Sequence, residues 1–218
     1  MAFTRAAKTR VFCLTRARAD LSAEMARHKR PDLRYALFDT PLGRSGIAWS
    51  NQGIVRLQLP EADEDATVFR LLQGGAGVIA ARPPSWVKHA IEAVVSHLNG
   101  ELQDFSALPV DLRAVTPFER RVYAQARATK AGQTITYGEL AAVAGAPGAA
   151  RAVGRALGAN PVALIVPCHR VVAARGRMGG FSAHGGKATK AKLLAIEGVL
   201  FPADDLTAHG DTGGVVHE

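Results

Sequence analysis

Cysteine is scarce in this sequence, with only Cys13 and Cys168 among 218 residues. Two isolated thiols in unlike surroundings make a poor disulfide scaffold, so the fold must rest on an apolar core, and a reducing cytoplasm is the expected setting. Long apolar runs are missing as well. The stretch Val162 to Val166 falls far short of the ~20 residues that a membrane-spanning helix needs. The basic opening is not followed by an apolar stretch and a small-residue cleavage site, so no secretory signal is expected. Aromatic residues are few, at 6%. Apolar patterning, by contrast, is plentiful. Hydrophobic residues make up 48% of the chain and charged residues 21%, a balance that excludes wholesale disorder and supplies one ordinary core or two small ones.

Acidic residues are also in deficit, 19 against 27 Lys and Arg, for a formal charge of +8. A basic balance of this size favours a polyanionic partner, nucleic acid before anionic membrane. The distribution matters more than the sum. Residues 1–30 carry Arg5, Lys8, Arg10, Arg16, Arg18, Arg27, Lys29 and Arg30 against Asp20 and Glu24, whereas the stretch from Ala203 holds Asp204, Asp205, Asp211 and Glu218 and no Lys or Arg. The excess therefore concentrates in a basic arm over 1–30, read as flexible. It can be a solvated tail or a weak aid in holding DNA. Charge alone decides nothing here.

After the arm, Leu33, Tyr35 and Leu37 alternate with Arg34, Ala36 and Phe38, and Val55, Leu57 and Leu59 alternate with Arg56 and Gln58. Turn chemistry at Pro41-Leu42-Gly43 and Ser50-Asn51-Gln52-Gly53 separates these runs, so a small antiparallel meander is expected. A helix follows through Ala66 to Leu72, ending at Gly74-Gly75. A second starts with Ser85 as its N-cap, places Val87, Ile91, Val94 and Leu98 on one face, and stops at Gly100. Residues 101–115 lack periodicity and read as a linker. Thr116-Pro117-Phe118-Glu119 is a capping box with Pro at the first helical position, opening a helix to about Lys130. These signals divide the chain into the arm at 1–30, an N-terminal domain over 31–111, a C-terminal domain over 112–201 and a tail at 202–218. The fold class is α/β (α+β), an antiparallel-sheet α/β domain followed by a helix-turn-helix or winged-helix-like domain.

The C-terminal half holds the informative stretches. A short helix at about Tyr137 to Ala144, a Gly/Pro turn at Gly145 to Gly148, and a second helix from about Ala149 to Leu157 follow helix-turn-helix grammar. In the second helix Ala149, Ala150, Ala152 and Gly154 are small enough for close approach to another surface. Arg151 and Arg155 lie four residues apart on one face with no acidic partner in that helix. Such a helix suits a DNA groove, although alanine-rich helices also pack in ordinary cores. Further on, the β-type run Val162 to Val166 ends at Pro167, where a strand must stop. Cys168, His169 and Arg170 follow at once. Cysteine attacks as thiolate, and a neighbouring base or cation can supply that form. Adjacent side chains on a strand face opposite ways, so Cys-His pairing would require a turn at this point. The alternative is a buried, inert cysteine.

Pro167-Cys168-His169-Arg170-Val171-Val172 resembles the active-site signature of the O6-alkylguanine-DNA alkyltransferases. The resemblance spans Thr116 to about Gly198 and takes in Tyr137, the segment Ala150 to Gly154, Asn160-Pro161 and Leu193-Leu194-Ala195-Ile196-Glu197-Gly198. It implies direct-reversal DNA repair, in which an O6-alkylguanine is flipped from the duplex and its alkyl group passes irreversibly to Cys168. His169 would take the thiol proton through a water, Glu197 would orient His169, and Asn160 would brace the turn before the active-site strand. Arg151 would fill the vacated stack, and Tyr137 would press on a phosphate and help protonate the leaving base. Ala150, Gly154, Arg155 and Arg170 join the implied DNA-facing set. Val171, Phe181 and Ser182 would line the substrate pocket, closed on one side by the loop Gly176 to Gly186. Phe181 stands where many members carry tyrosine and Ala183 replaces a common glycine, which bears on how bulky a substituent is admitted.

No cofactor is implied, and Cys13, His28, His89 and His97 show no zinc-ligand spacing. The implied partner is double-stranded DNA bearing O6-alkylguanine, with O4-methylthymine as a further substrate, acted on by a cytoplasmic monomer without membrane contact. Rival readings are a non-catalytic lesion-binding relative, which typically has tryptophan in place of the acceptor cysteine, and a winged-helix regulator with an inert cysteine. A cysteine hydrolase lacks a convincing oxyanion site.

Overall fold

A computed structural model describes residues 33–73, 78–202 and 205. The basic arm with Cys13 and His28, the pair Gly74-Gly75 and all of the tail but Pro202 and Asp205 lie outside the described residues. Strands β1 (Arg34–Thr40), β2 (Gly43–Trp49) and β3 (Ile54–Gln58) form the expected meander, and β4 (Ile79–Ala80) adds a short parallel edge, for a sheet ordered β3-β2-β1-β4. Opposition of Thr40 and Gly43 leaves Pro41 and Leu42 as a two-residue loop, and Thr40 Oγ1 donates to the Gly43 carbonyl at 2.7 Å. On β1 it is Phe38 that is buried, while Leu37 is only half-buried. Phe38 joins the main core, while Leu37 lies with Leu71 of α1 over Gly46 of β2, which blurs the alternation.

Helix α1 (Glu64–Leu72) is capped by Asp63, whose carboxylate accepts from the Ala66 amide at 2.7 Å. Helix α2 (Ser85–Leu98) departs from expectation at its start. Pro84 occupies the cap without a side-chain bond, and Ser85 is the first helical residue. The buried face of α2 is Val87, Ala90, Val94, His97 and Leu98. Histidine is thus part of the apolar stripe.

The presumed linker is stitched to the sheet. Ile54 N–H donates to Pro109 and Asp111 N–H to Ile54, at 2.9 and 2.8 Å, so residues 109–111 run beside β3. Gly53 permits this approach, since a Cβ there would lie 2.7 Å from the Pro109 carbonyl oxygen. Asp111 then accepts from Ser50 Oγ at 2.7 Å and from Arg113 at 2.7 and 2.8 Å.

Helix α3 (Pro117–Arg127) opens with the expected capping box, Thr116 and Glu119 exchanging side-chain bonds with each other's amides. Strand β5 (Ile135–Thr136) pairs in parallel with β6 (Val171–Val172), and a second capping box, Thr136 with Glu139, starts α4 (Tyr137–Val143). Helix α5 (Ala150–Gly158) completes the helix-turn-helix, and α6 (Gly186–Ile196) closes the domain. All described residues belong to one compact unit beginning at Leu33. Ile47, Trp49, Ile54 and Leu57 of the sheet share a core with Val122, Tyr123, Leu140, Val153, Ile165 and Leu193 from beyond residue 112. Each fully buried aliphatic side chain contributes about 1.5–3 kcal/mol, which joins the two halves firmly.

The run Val162 to Val166 is not a strand. Leu57 donates to Pro161 and Ala163 donates back to Leu57, at 3.0 and 3.1 Å, after which Leu164 turns through φ 69° and Val166 N–H reaches the Val162 carbonyl at 2.9 Å. β-branched composition promised extension, but single bridges at Leu57–Val162 and Ala163–Val166 satisfy this buried backbone while it curls.

Candidate active site

The curl delivers Cys168 to Asn160. The Asn160 Oδ1 accepts from the Val162 amide at 3.0 Å, while its Nδ2 donates to the Val166 carbonyl at 2.8 Å and to Cys168 Sγ at 3.3 Å. One amide therefore ties both ends of the curl and touches the sulfur. After Pro167, Cys168–Arg170 form a single 3₁₀ turn. Three residues per turn splay successive side chains by about 120°, so Cys168 and His169 diverge less than they would on a strand. The turn required for pairing is present.

Cys168 lines a cavity of about 250 Å³ together with Tyr137, Gly154, Leu157, Gly180, Phe181 and Ser182. Cys168, Phe181 and Ser182 also line an adjoining cavity of about 250 Å³ that reaches Arg56 and Arg70. Tyr137 is seated against Gly179, where a Cβ would lie 3.1 Å from its ring, and its hydroxyl donates to the Gly180 carbonyl at 3.4 Å. Val171 is wholly buried behind this wall, its carbonyl accepting from Lys190 Nζ at 2.5 Å. On α5, Arg151 and Arg155 are exposed and Ala150 and Gly154 half-buried.

Behind the cysteine, Glu197 occupies the C-cap position of α6, and solvent does not reach its carboxylate. Its Oε1 accepts from His169 Nε2 at 3.0 Å, His97 Nε2 at 3.0 Å and Arg170 Nη2 at 2.8 Å, and its Oε2 from Arg170 Nε at 3.0 Å. This corrects the place expected for Arg170. It is 5% exposed, with its guanidinium spent on Glu197 and on the Thr129 carbonyl. The physical reason is charge: a buried carboxylate requires a fixed partner, and a bidentate guanidinium is the strongest available.

The segment 117–199 matches the family model described as the DNA-binding domain of 6-O-methylguanine DNA methyltransferase. A methylated-DNA–protein-cysteine methyltransferase of Mycolicibacterium paratuberculosis is 46% identical over 171 residues, covering 78% of this chain and 96% of the relative. The chain belongs to the methylated-DNA–protein-cysteine methyltransferase family. Among solved structures, Mycobacterium tuberculosis OGT in complex with DNA superposes with a TM-score of 0.62 at 34% identity, covering 80% of this chain and 99% of that one. The methyltransferase from Pyrococcus kodakaraensis gives 0.56 at 30% identity, covering 77% and 99%. DNA is accordingly the partner, and repair of methylated DNA by transfer to a protein cysteine is the activity.

Burial disfavours the charged form of Glu197, but bonds from His169, His97 and Arg170 outweigh it and hold the carboxyl well below the usual range. Burial pushes His169 down more than Glu197 raises it, so the imidazole is neutral at pH 7. Its Nε2 faces a carboxylate that only accepts, which makes Nε2–H the donor and Nδ1 the basic nitrogen. That Nδ1 is buried and finds no hydrogen-bond partner among the described residues. For Cys168, burial pushes the thiol up, and the Asn160 bond and the Lys190 charge only partly offset it. The sulfur is therefore a thiol at rest. Imidazole and thiol are thus both neutral at rest.

Three contributors escaped the sequence reading. Lys190 is 0% exposed, donates to the Val171 and Gly180 carbonyls and stands 5.9 Å above the Tyr137 ring. Burial pulls its pKa down to about 8, against the pull of Cys168. Its signal was spacing: Lys190, Leu193, Leu194 and Glu197 follow an i, i+3, i+4, i+7 pattern and share the buried face of α6. Arg70, on α1, donates to the Ser182 carbonyl at 3.2 Å and so steadies the pocket loop, a contact 112 residues apart with no local signature. His97, which shows no zinc-ligand spacing in the sequence, sits on the Glu197 carboxylate.

Proposed function

We propose that this methyltransferase acts on O6-alkylguanine, with O4-methylthymine as a further substrate, after extruding the base from the duplex. A stacked base exposes no path to a buried sulfur, and extrusion costs a few kcal/mol, least at a damaged pair. Arg151 enters the vacated stack from the exposed face of α5, and the base enters the cavity between Tyr137 and Phe181. The thiol proton of Cys168 passes through a water to His169 Nδ1, with the resulting imidazolium stabilised by Glu197. The sulfur attacks the alkyl carbon, the S–C bond forms as the C–O6 bond breaks, and the electron pair withdraws into the purine. Tyr137 protonates the departing guanine and recovers its proton from the imidazolium. The net exchange is one alkyl group for one proton. A thioether has no hydrolytic exit here, so each chain acts once.

The observation that carries this reading is the buried Nδ1 of His169, without a hydrogen-bond partner among the described residues, on the same 3₁₀ turn as Cys168, which lines the cavity. Its test is incubation with an excess of O6-methylguanine duplex followed by peptide mapping. One methyl per chain, on the peptide holding Cys168, is expected. Continued turnover, or label on another residue, overturns it.

A further inference from the structure

Glu197 binds two histidines, and only one belongs to the acceptor turn. His97 comes from α2, one hundred residues away in sequence, and is 1% exposed. Its tautomer follows from its partners. The Gln103 amide donates to His97 Nδ1 at 3.1 Å, so Nδ1 carries no proton and Nε2–H must be the donor to Glu197. The ring is also packed on Phe105, centroids 5.0 Å apart. An amide and an aromatic ring thus fix its orientation from two sides, and the third points at the carboxylate.

We propose that His97 is a positioning residue for alkyl transfer, holding Glu197 in the rotamer from which it orients His169. This rests on the reading of Cys168 and His169 as acceptor and base. The charged and titratable groups around His97 are Glu197 at the end of α6 and His169 and Arg170 on the 3₁₀ turn. Arg170 neutralises the carboxylate from one side and His97 draws density from the other. Together they restrain how strongly Glu197 favours a protonated His169. Removing the His97 donor leaves the carboxylate looser and more basic, which raises the pKa of His169 and removes the neutral base at mildly acidic pH. The N-terminal half is then part of the reaction machinery through one side chain.

The experiment is the pH profile of single-turnover methyl transfer from an O6-methylguanine duplex, for the full chain and for His97→Phe and His97→Gln, with duplex affinity and folded fraction measured in parallel. Gln can keep a donor near the Nε2 position and Phe cannot. With His97→Phe the maximal rate should fall by about tenfold or more, and the acid limb should move up by about one pH unit. His97→Gln should restore most of both, and duplex affinity should not change. A His97→Phe profile that matches the parent after correction for folded fraction overturns the proposal, as does a Gln variant no better than Phe. If the parent transfers no methyl, it is the functional reading that fails. Nitrogen-15 NMR of the histidines then decides the role of His97: a His169 titration unchanged in His97→Phe sinks it. Should that variant not fold, the parent spectrum decides, since the Nδ1–H tautomer at His97 contradicts the proposal.

Discussion

The acceptor turn and the helix-turn-helix are neighbours built on opposite plans. Around Glu197 every charge is buried and committed, with four donor atoms from His97, His169 and Arg170 on one carboxylate. On α5, Arg151 and Arg155 are exposed, and neither has an ion-pair partner among the described residues. Groups that must carry out chemistry are held before substrate arrives, because reorganising them during the reaction would add to the barrier. Groups proposed to meet DNA are left in water, because the nucleic acid itself is to supply their partner. The contrast is between preorganisation and availability.

Substitutions should separate the two regions by what they damage. The largest effect belongs to Cys168→Ala, expected to lower transfer by more than about a thousandfold while duplex binding persists; loss of binding in a gel-shift titration would mean that the two regions are not separable. Glu197→Gln should cost about 3–5 kcal/mol in urea unfolding, because Arg170 and two imidazole donors lose a buried anion. A cost near zero would show the network to be decorative. Arg151→Ala should behave in the opposite way, leaving stability within about 0.5 kcal/mol and lowering the transfer rate by about tenfold or more, with a smaller loss of affinity for undamaged duplex. Equal loss of both would remove the proposed insertion. Smallest is Thr116→Ala at the start of α3, which breaks a solvent-exposed capping box and should cost about 1 kcal/mol without altering transfer.

Acid provides a further way to sharpen the comparison. His169 has a folded pKa below its unfolded value, so stability falls as pH drops below about 6.5 and the unfolded chain takes the proton first. Glu197 is also depressed, so its contribution is full above about pH 4.3 and declines below it, over a window that extends to strongly acidic pH. Asp111, held by Arg113 at about 2, loses its contribution between about pH 4 and 2. Unfolding free energy measured from pH 7 to 3 should therefore decline in two stages. In Glu197→Gln the second should shrink, because only Asp111 of these carboxylates remains.

Much of the site was legible because its signals are local. Thr116 with Glu119, Tyr137 before the turn, Arg151 and Arg155 at helical spacing, and Pro167-Cys168-His169 each state their geometry within a few residues. The misreadings arose where tertiary contacts override local preference. Val162 to Val166 has strand composition and curls instead. Ser85 looks like a cap but lies inside its helix. Residues 101–115 look slack yet bond to β3. Arg170 looks like a DNA contact and is buried, since nothing local announces that Glu197 lies opposite it.

By itself, the order of residues determined the class of chemistry: a thiol beside an imidazole, downstream of a small-faced basic helix, in a chain with no other cysteine in its C-terminal half. Only the folded chain decided the charge states. Whether a sulfur is thiol or thiolate, and which nitrogen of a histidine is basic, depends on burial and on partners such as Lys190 and His97. Those partners arrive from helices far along the chain, through a shared core whose packing no local pattern encodes.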